Sequence, residues 1–550
     1  MIMLERASRT PRIVVISGSV GAGKSTLARL LAGNSDALLF RTQDLLFEYA
    51  ASAGTDLEAD RKQLQDYGEA LDSQTKGQWV ADMVAAGVAE AAEMPGLVIV
   101  DSARILAQVD RLRDAFAEVT HVHLSAPRDV LAMRYEDRRG RSGLVELDGF
   151  DAVLTNKTEA NVPLLGRDAD VAIDTLRSTQ QDVLTRVAAA LRLRAPRSSR
   201  LVDVIVGGQY GSEGKGNIAF HIASEYGLLV RVGGPNAGHK VPTDPVYTHR
   251  LLPSGTLANP DAKLLIGPGA TIDVALLLQE IADCNVEVGR LFIDPQAMVI
   301  EDQDKSSELA MKASIGSTGK GGGSAASRRI MGRLGDGSSA VRLAKDVPEL
   351  LPWLRPASEV LDAAYKRGHR VLLEGTQGTG LSLYHGEYPF VTSRDTTVNA
   401  CLAEAGIGIH RVRRSIIVVR TYPIRVGSPP SGDSGHMSQE LTWDNIAERA
   451  GLSGELLSEL ERGSVSRTQR RVAEFDWALL ERASELNGAT DVALTFADYL
   501  SEGNASARRY DQLSDDTINF VEEVERVAGA PVSLIATGFN RRGLIDRREW

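Results

Sequence analysis

The stretch "LVDVIVGGQYGSEGKG", residues 201–216, runs from an apolar segment into a glycine-rich loop. A buried strand that turns through glycines into a helix is an arrangement that cradles phosphate. The glycines let backbone N–H groups converge, and the helix N-terminus favours negative charge. The loop departs from the G-x-x-x-x-G-K-[ST] pattern. Five residues separate Gly208 from Gly214, and Gly216 stands where a metal-holding hydroxyl belongs. Ser212 and Glu213 occupy its crown. The stretch therefore predicts a nucleotide-binding α/β domain with altered chemistry.

Upstream lies a second, regular loop. "GSVGAGKS", residues 18–25, is a complete Walker A match between the strand-like "RIVVIS" and the helix-like "KSTLARLLA". Gly18, Gly21 and Gly23 free the backbone to face phosphates. Lys24 reaches the terminal phosphates, and Ser25 can hold Mg²⁺. Asp101 closes "LVIVD" and is placed to act on the same metal. Asp44, after the second strand, is either an acid near a phosphate acceptor or a solvated loop carboxylate. "RYEDRRGR", residues 134–141, reads as a phosphate clamp or as a solvated helix face.

Further strands are expected at "THVHLS" and "DVAID", and a helix at "TQQDVLTRVAAALRL". Continuous apolar strands separated by helices imply parallel sheets covered on both faces. The fold class expected is α/β, with two P-loop-type domains, each a mainly parallel sheet flanked by helices. The polar, proline-containing "RAPRSSR" marks the boundary. Residues 1–195 form a kinase-like domain, 196–200 a linker and 201–550 the second domain.

A chain of 550 residues exceeds one ordinary core. Its 43% hydrophobic and 25% charged residues suit a globular protein. A net charge of −11 speaks against nucleic-acid binding by bulk electrostatics. Two cysteines, Cys284 and Cys401, are too few for a disulfide framework or a zinc site. No apolar run is long enough for a membrane helix, and "MIMLERASRT" is too polar for a signal peptide. A cytoplasmic protein without nucleic-acid or membrane partners is expected.

Residues 11–193 resemble the P-loop nucleoside and nucleotide kinases in "GSVGAGKS", "VIVDSAR" and "RYEDRRGR". Beyond residue 201 the ordered motifs are more specific. They are "GGQYGSEGKG", "RVGGPNAGH", "LLPSG", "IGPG", "SIGSTGKGGG", "LLEGTQGTGLSLYHGEYPFVTSRDTT", "TYPIRVG", "SRTQRRVAEFD", "LTFADYL" and "IATGFNRRG". In this order they resemble adenylosuccinate synthetase across essentially all of residues 201–550.

That resemblance implies a ligase that phosphorylates O6 of a purine nucleotide and then displaces the phosphate with L-aspartate. It implies Mg²⁺, and GTP or ATP as donor. His239 corresponds to the general acid, Lys215 and the loop containing Gly211, Gly214 and Gly216 to the phosphate cradle, and Gly238 to a backbone metal ligand. Asn236, Ser317, Thr318, Gln377 and Thr392 correspond to the purine nucleotide site. Arg328 or Arg329 corresponds to an arginine that crosses from a second subunit, so a homodimer is implied. Arg467, Arg470 and Arg471 suit the carboxylates of aspartate.

Two departures stand out. Ser212 replaces the family's aspartate, the base that takes the N1 proton and touches the metal. "TFAD" keeps Asp498 of the donor-base segment but has Phe496 for a lysine. A serine leaves room for a 2-amino group, as in the phage branch of the family that acts on dGMP toward 2-aminoadenine nucleotides. Three readings stay open: a 2-amino purine substrate such as dGMP or GMP, ordinary use of IMP, or a catalytically weak nucleotide-sensing protein.

Overall fold

The computed structural model describes residues 11–33, 37–139, 143–193, 199–334, 340–430, 432–461 and 469–550. Contacts divide the chain into two compact units, Met1–Arg194 and Ala195–Trp550.

The first unit is built on five parallel strands in the order Ala37–Arg41, Leu97–Ala103, Arg12–Gly18, Glu118–Ser125, Val171–Asp174. Ile13, Val14, Val15 and Ile16 are wholly buried, as a strand covered on both faces requires. Register places Asp101 beside Ile16 on one side and Arg41 on the other. The carboxyl ends of the strands thus meet where the Walker A loop enters the helix Lys24–Gly33. Ligands of open parallel sheets bind at this edge.

The second unit has a nine-stranded sheet in the order Leu291–Ile293, Lys263–Ile266, Leu228–Arg231, Val371–Gly378, Val202–Gly207, Val412–Arg420, Asp491–Thr495, Val532–Ala536, Leu544–Asp546. The last pair is antiparallel and every other pairing is parallel. Val202–Gly207 is the central strand, and Gly207 lies level with Gly378 and Val418 of its neighbours. Alternate residues of that strand, Val202, Val204 and Val206, enter one core and Ile205 the other.

Small antiparallel pieces decorate this sheet, which the α/β alternation in the sequence does not anticipate. His239–Val241 pairs with Tyr247–His249, and Arg471–Ala473 lies between Ile424–Arg425 and Glu440–Leu441. Strands of two or three residues are too short to establish a period.

Candidate functional site

The crown of the loop is organised by Glu213. Its side chain is fully buried, and Oε1 accepts from the backbone N–H of Gln209 at 3.0 Å and of Gly211 at 2.7 Å. Oε2 holds the ammonium of Lys215 at 2.6 Å, and Lys215 also reaches the Gly211 carbonyl at 3.3 Å. The amide of Gly211, assigned to phosphate from the sequence, is thus already spent within the loop. Ser212 is half-exposed beside these groups, and its carbonyl accepts from Arg420 at 3.3 Å. Gly216 is glycine for a steric reason. A Cβ there would lie 2.8 Å from that of His239 and 3.0 Å from the Lys240 carbonyl.

His239 therefore packs directly on the first turn of the loop helix Lys215–Ile222. Its Nδ1 faces Glu374 in a very short contact and lies 2.8 Å from Nη1 of Arg231. Arg231 bonds Glu374 at 2.8 Å, and Ser254 gives Glu374 its hydroxyl at 2.5 Å and its backbone N–H at 2.8 Å. Nε2 of His239 is buried and has no protein partner. With Nδ1–H directed at the carboxylate, Nε2 is the face left for a substrate.

Burial, followed by the charge of Arg231, lowers the pKa of His239 to about 4, against the raising effect of Glu374. Burial alone would raise Glu374, but Arg231 and His239 outweigh it and hold it below the usual carboxylate range. The free imidazole is therefore neutral at pH 7, and the acid role expected from the sequence requires an anion against Nε2 to raise its proton affinity. Titration of the ligand-free protein by NMR is expected to place His239 near 4. Glu374→Gln removes the raising charge, so the midpoint moves lower still. A midpoint near 6.5, the unperturbed value, would refute this electrostatic account.

A cavity of about 490 Å³ in this unit is lined among others by Asn236, Arg329, Gln377, Thr392 and Arg394. Asn236 Oδ1 is buried without a partner, an acceptor left for a ligand. Gln377 is held at φ +59°, a left-handed backbone that a non-glycine rarely adopts. Arg394 is fixed on Glu404 by bonds of 2.8 and 2.7 Å.

The other expected residues fall into three groups. Ser317 and Thr318 sit outside the lining of this cavity, although Thr318 Oγ1 is buried and unpartnered. Arg328 is held within its own chain by Asp304, at 2.8 and 2.7 Å, and by Glu301 at 2.9 Å. Arg471 is similarly occupied by Glu440 and the Gly435 carbonyl. Arg467 lies outside the described residues.

Arg470 approaches Glu461 at 3.5 Å, in a cluster that sequence reading missed. Glu461 also takes Nη2 of the buried Arg420 at 2.9 Å and the hydroxyl of Tyr499 at 2.8 Å. The Arg420 guanidinium stacks over Phe496 at 3.9 Å. Phe496 is the residue found in place of a lysine, and it too is held at φ +59°. Nearby, Asp498 has a buried, unpartnered Oδ1, and burial raises its pKa to about 6. The visible signal was the charged ends of apolar strands, Arg231, Glu374 and Arg420. Such residues are seldom buried unless paired.

In the first unit, Lys24, Ser25, Asp44, Asp101 and Arg138 line one cavity of about 530 Å³. Lys24 caps the carbonyls of Gly18 and Ser19 at 2.8 and 3.0 Å, and burial lowers its pKa to about 7. Of the clamp-like run, Arg134 is spent on Thr175 at 2.8 Å and Arg139 on Asp148, which leaves Arg138 on the cavity. Gly140 and Arg141 lie outside the described residues. Ser25 and Asp101 are hard oxygen donors that suit Mg²⁺. In the second unit Ser212 offers a hydroxyl, and no cluster of three metal-ligating side chains occurs among the described residues. A metal fits there when phosphate oxygens complete its shell. No described helix is long and apolar enough to cross a membrane.

The adenylosuccinate synthetase family model matches residues 204–338 and 335–505, and an AAA domain model matches residues 14–159. Adenylosuccinate synthetase of Methanococcus aeolicus is 38% identical over 355 residues, covering 63% of this chain and 99% of the relative. The succinoaminodeoxyadenylate synthetase of cyanophage S-2L, solved bound to dGMP and to dATP as an energy donor, is 28% identical. It covers 64% of this chain and 96% of its own, with a TM-score of 0.54. Adenylosuccinate synthetase from Plasmodium falciparum shares the fold at 21% identity, covering 63% of this chain and 100% of its own, with a TM-score of 0.53.

Proposed function

Because the chain belongs to the adenylosuccinate synthetase family, carried behind a P-loop kinase-like domain, we propose a specific substrate for its ligase unit. That unit joins L-aspartate to C6 of a purine nucleotide bearing a 2-amino group, dGMP or GMP. The observation that carries this reading is Ser212, a short neutral hydroxyl at the crown where a carboxylate would crowd the 2-amino group. The dGMP bound by the cyanophage relative supports it.

The triphosphate donates its γ-phosphoryl to O6, and the amine of aspartate then displaces that phosphate from C6. Lys215, poised by Glu213, steadies the transferred group, and Nε2 of His239 faces O6. Asn236, Gln377 and Thr392 hold the nucleotide, and Ser317 and Thr318 its phosphate. Arg467 and Arg470 take the aspartate carboxylates, and Asp498 reads the donor base. Gly238 is the backbone position that would help hold Mg²⁺, which would supply charge neutralisation for the phosphates. Exposed Ile330 and Met331 beside Arg329 support a homodimer, which sedimentation at low protein concentration tests directly.

An end-point assay with L-aspartate, Mg²⁺, ATP, dATP or GTP, and each of IMP, dIMP, GMP and dGMP tests the substrate. A neutral hydrogen bond contributes about 0.5–1.5 kcal/mol, so preference for dGMP over dIMP is about tenfold. Ser212→Asp is expected to reverse it by crowding the 2-amino group. An unchanged ratio of kcat/KM, or a wild type that prefers dIMP, ends the reading and favours IMP.

The N-terminal unit is proposed to transfer the γ-phosphoryl of ATP to a nucleotide or nucleoside, with Gly18, Gly21, Gly23 and Lys24 around the phosphates and Ser25 and Asp101 toward the metal. Lys24→Ala is expected to remove aspartate-independent ADP formation and to leave succinyl-nucleotide synthesis within about twofold, because the two loops belong to separate units. Parallel loss of both activities would refute their independence.

A further inference from the structure

The proposed kinase reading leaves open what the first unit phosphorylates, and the chemistry of its cavity narrows the answer. An acceptor phosphate brings up to two negative charges and needs unspent cations beside the transfer point. The three inner arginines of the cavity share two acids. Arg104 is paired with Glu159, Arg61 is paired with Glu146, and Arg138 lies 3.6 Å from Glu146. Arg41 and Arg29 have no acidic partner among the described residues, and like Asp44 they are exposed on the lining.

Asp44 and Asp101 line the same space, and neither has an ion-pair partner among the described residues. With Asp101 directed toward the metal, Asp44 is left for the acceptor, and a carboxylate there repels an incoming phosphate and welcomes a hydroxyl, which donates to it. On the same lining, Leu46, Leu64 and Leu144 give the cavity an apolar wall. Gln65, also on the lining, has a buried Nε2 with no partner. An unspent amide donor beside an apolar wall suits the edge of a heterocycle better than a polyol. The indole N–H of Trp79 is committed to Asp72 at 2.7 Å, and Gln108 to the same carboxylate at 2.9 Å, so those groups shape the wall without reading a ligand.

We propose that the acceptor is the hydroxyl of an unphosphorylated nucleoside, read by Gln65 and activated by Asp44. The hydroxyl oxygen bonds to the γ-phosphorus of ATP, and the bond from that phosphorus to the β–γ bridging oxygen breaks. ADP leaves, the hydroxyl proton passes to Asp44 and then to water, and a nucleoside monophosphate is formed. This rests on the kinase reading above, and the test separates the two.

The full chain is incubated with Mg–ATP and three panels: nucleosides, the matching monophosphates, and hexoses with polyols. ADP and products are followed by mass spectrometry. The expected result is one nucleoside monophosphate per ADP from at least one nucleoside. Asp44→Asn should lower kcat by about 10²–10⁴-fold with KM for ATP unmoved. Gln65→Leu should raise KM for the nucleoside about tenfold or more and spare kcat, which a purely structural role would not do. Phosphorylation of monophosphates alone, or of sugars alone, overturns the nucleoside assignment and leaves the kinase reading standing. Wild-type turnover by Asp44→Asn removes the proposed base. Absence of ADP with every acceptor overturns both.

Discussion

His239→Ala should lower the rate of succinyl-nucleotide formation by about 10²–10⁴-fold, the usual contribution of a positioned proton-transfer group. Nucleotide affinity should stay within a few-fold, because Asn236, Gln377 and Thr392 line the cavity independently of the ring. The reason lies in the direction of its nitrogens. Nδ1 is committed to Glu374, whereas Nε2 is buried and has no protein partner, so only Nε2 is free to serve a reacting atom. Rapid-quench kinetics with the preferred nucleotide, alongside equilibrium binding, measures both quantities. Near-normal turnover in the variant would take His239 out of the chemistry.

Glu374→Ala should cost about 3–5 kcal/mol of stability, the range for removing one partner of a buried ion pair. Glu374 and Arg231 are each 2% exposed, so the guanidinium would be left charged and uncompensated. The Ser254 backbone N–H would also lose its acceptor. The loss should appear as reduced hydrogen-exchange protection along Leu228–Arg231 and Val371–Gly378, the adjacent strands that carry the pair. This readout is local to the second unit and does not require the whole chain to unfold in one step. Glu374→Gln keeps an acceptor and should lose less. Protection equal to wild type in Glu374→Ala would mean that the pair contributes nothing net to the fold.

These two residues also affect each other. Glu374 raises the proton affinity of His239 while burial and Arg231 lower it, so removing the carboxylate makes the ring harder to protonate. The effects of Glu374 on rate and on stability are therefore separable. Glu374→Gln is expected to slow catalysis through His239 more than it weakens the fold.

Both phosphate loops, the α/β class and the family were legible in the sequence alone. The reason is that such loops are local: the glycines, the lysine and the flanking strand and helix are contiguous, so the backbone geometry they impose is written in one short window. The order of motifs after residue 201 likewise identified the family without any contact being known. Tertiary structure decided how the charges are compensated. Glu213 had no assigned role from the sequence and proved to be the acid that spends the Gly211 amide and orients Lys215. Arg328 or Arg329 reads in sequence as the arginine that crosses to a second subunit, and the structure shows Arg328 held within its own chain by Asp304 and Glu301. Arg231 and Glu374 are 143 residues apart, and Arg420 and Glu461 are 41 apart. Ionic partners chosen by burial need no fixed spacing. Only the packed strands bring them together, and no local pattern records which acid neutralises which base.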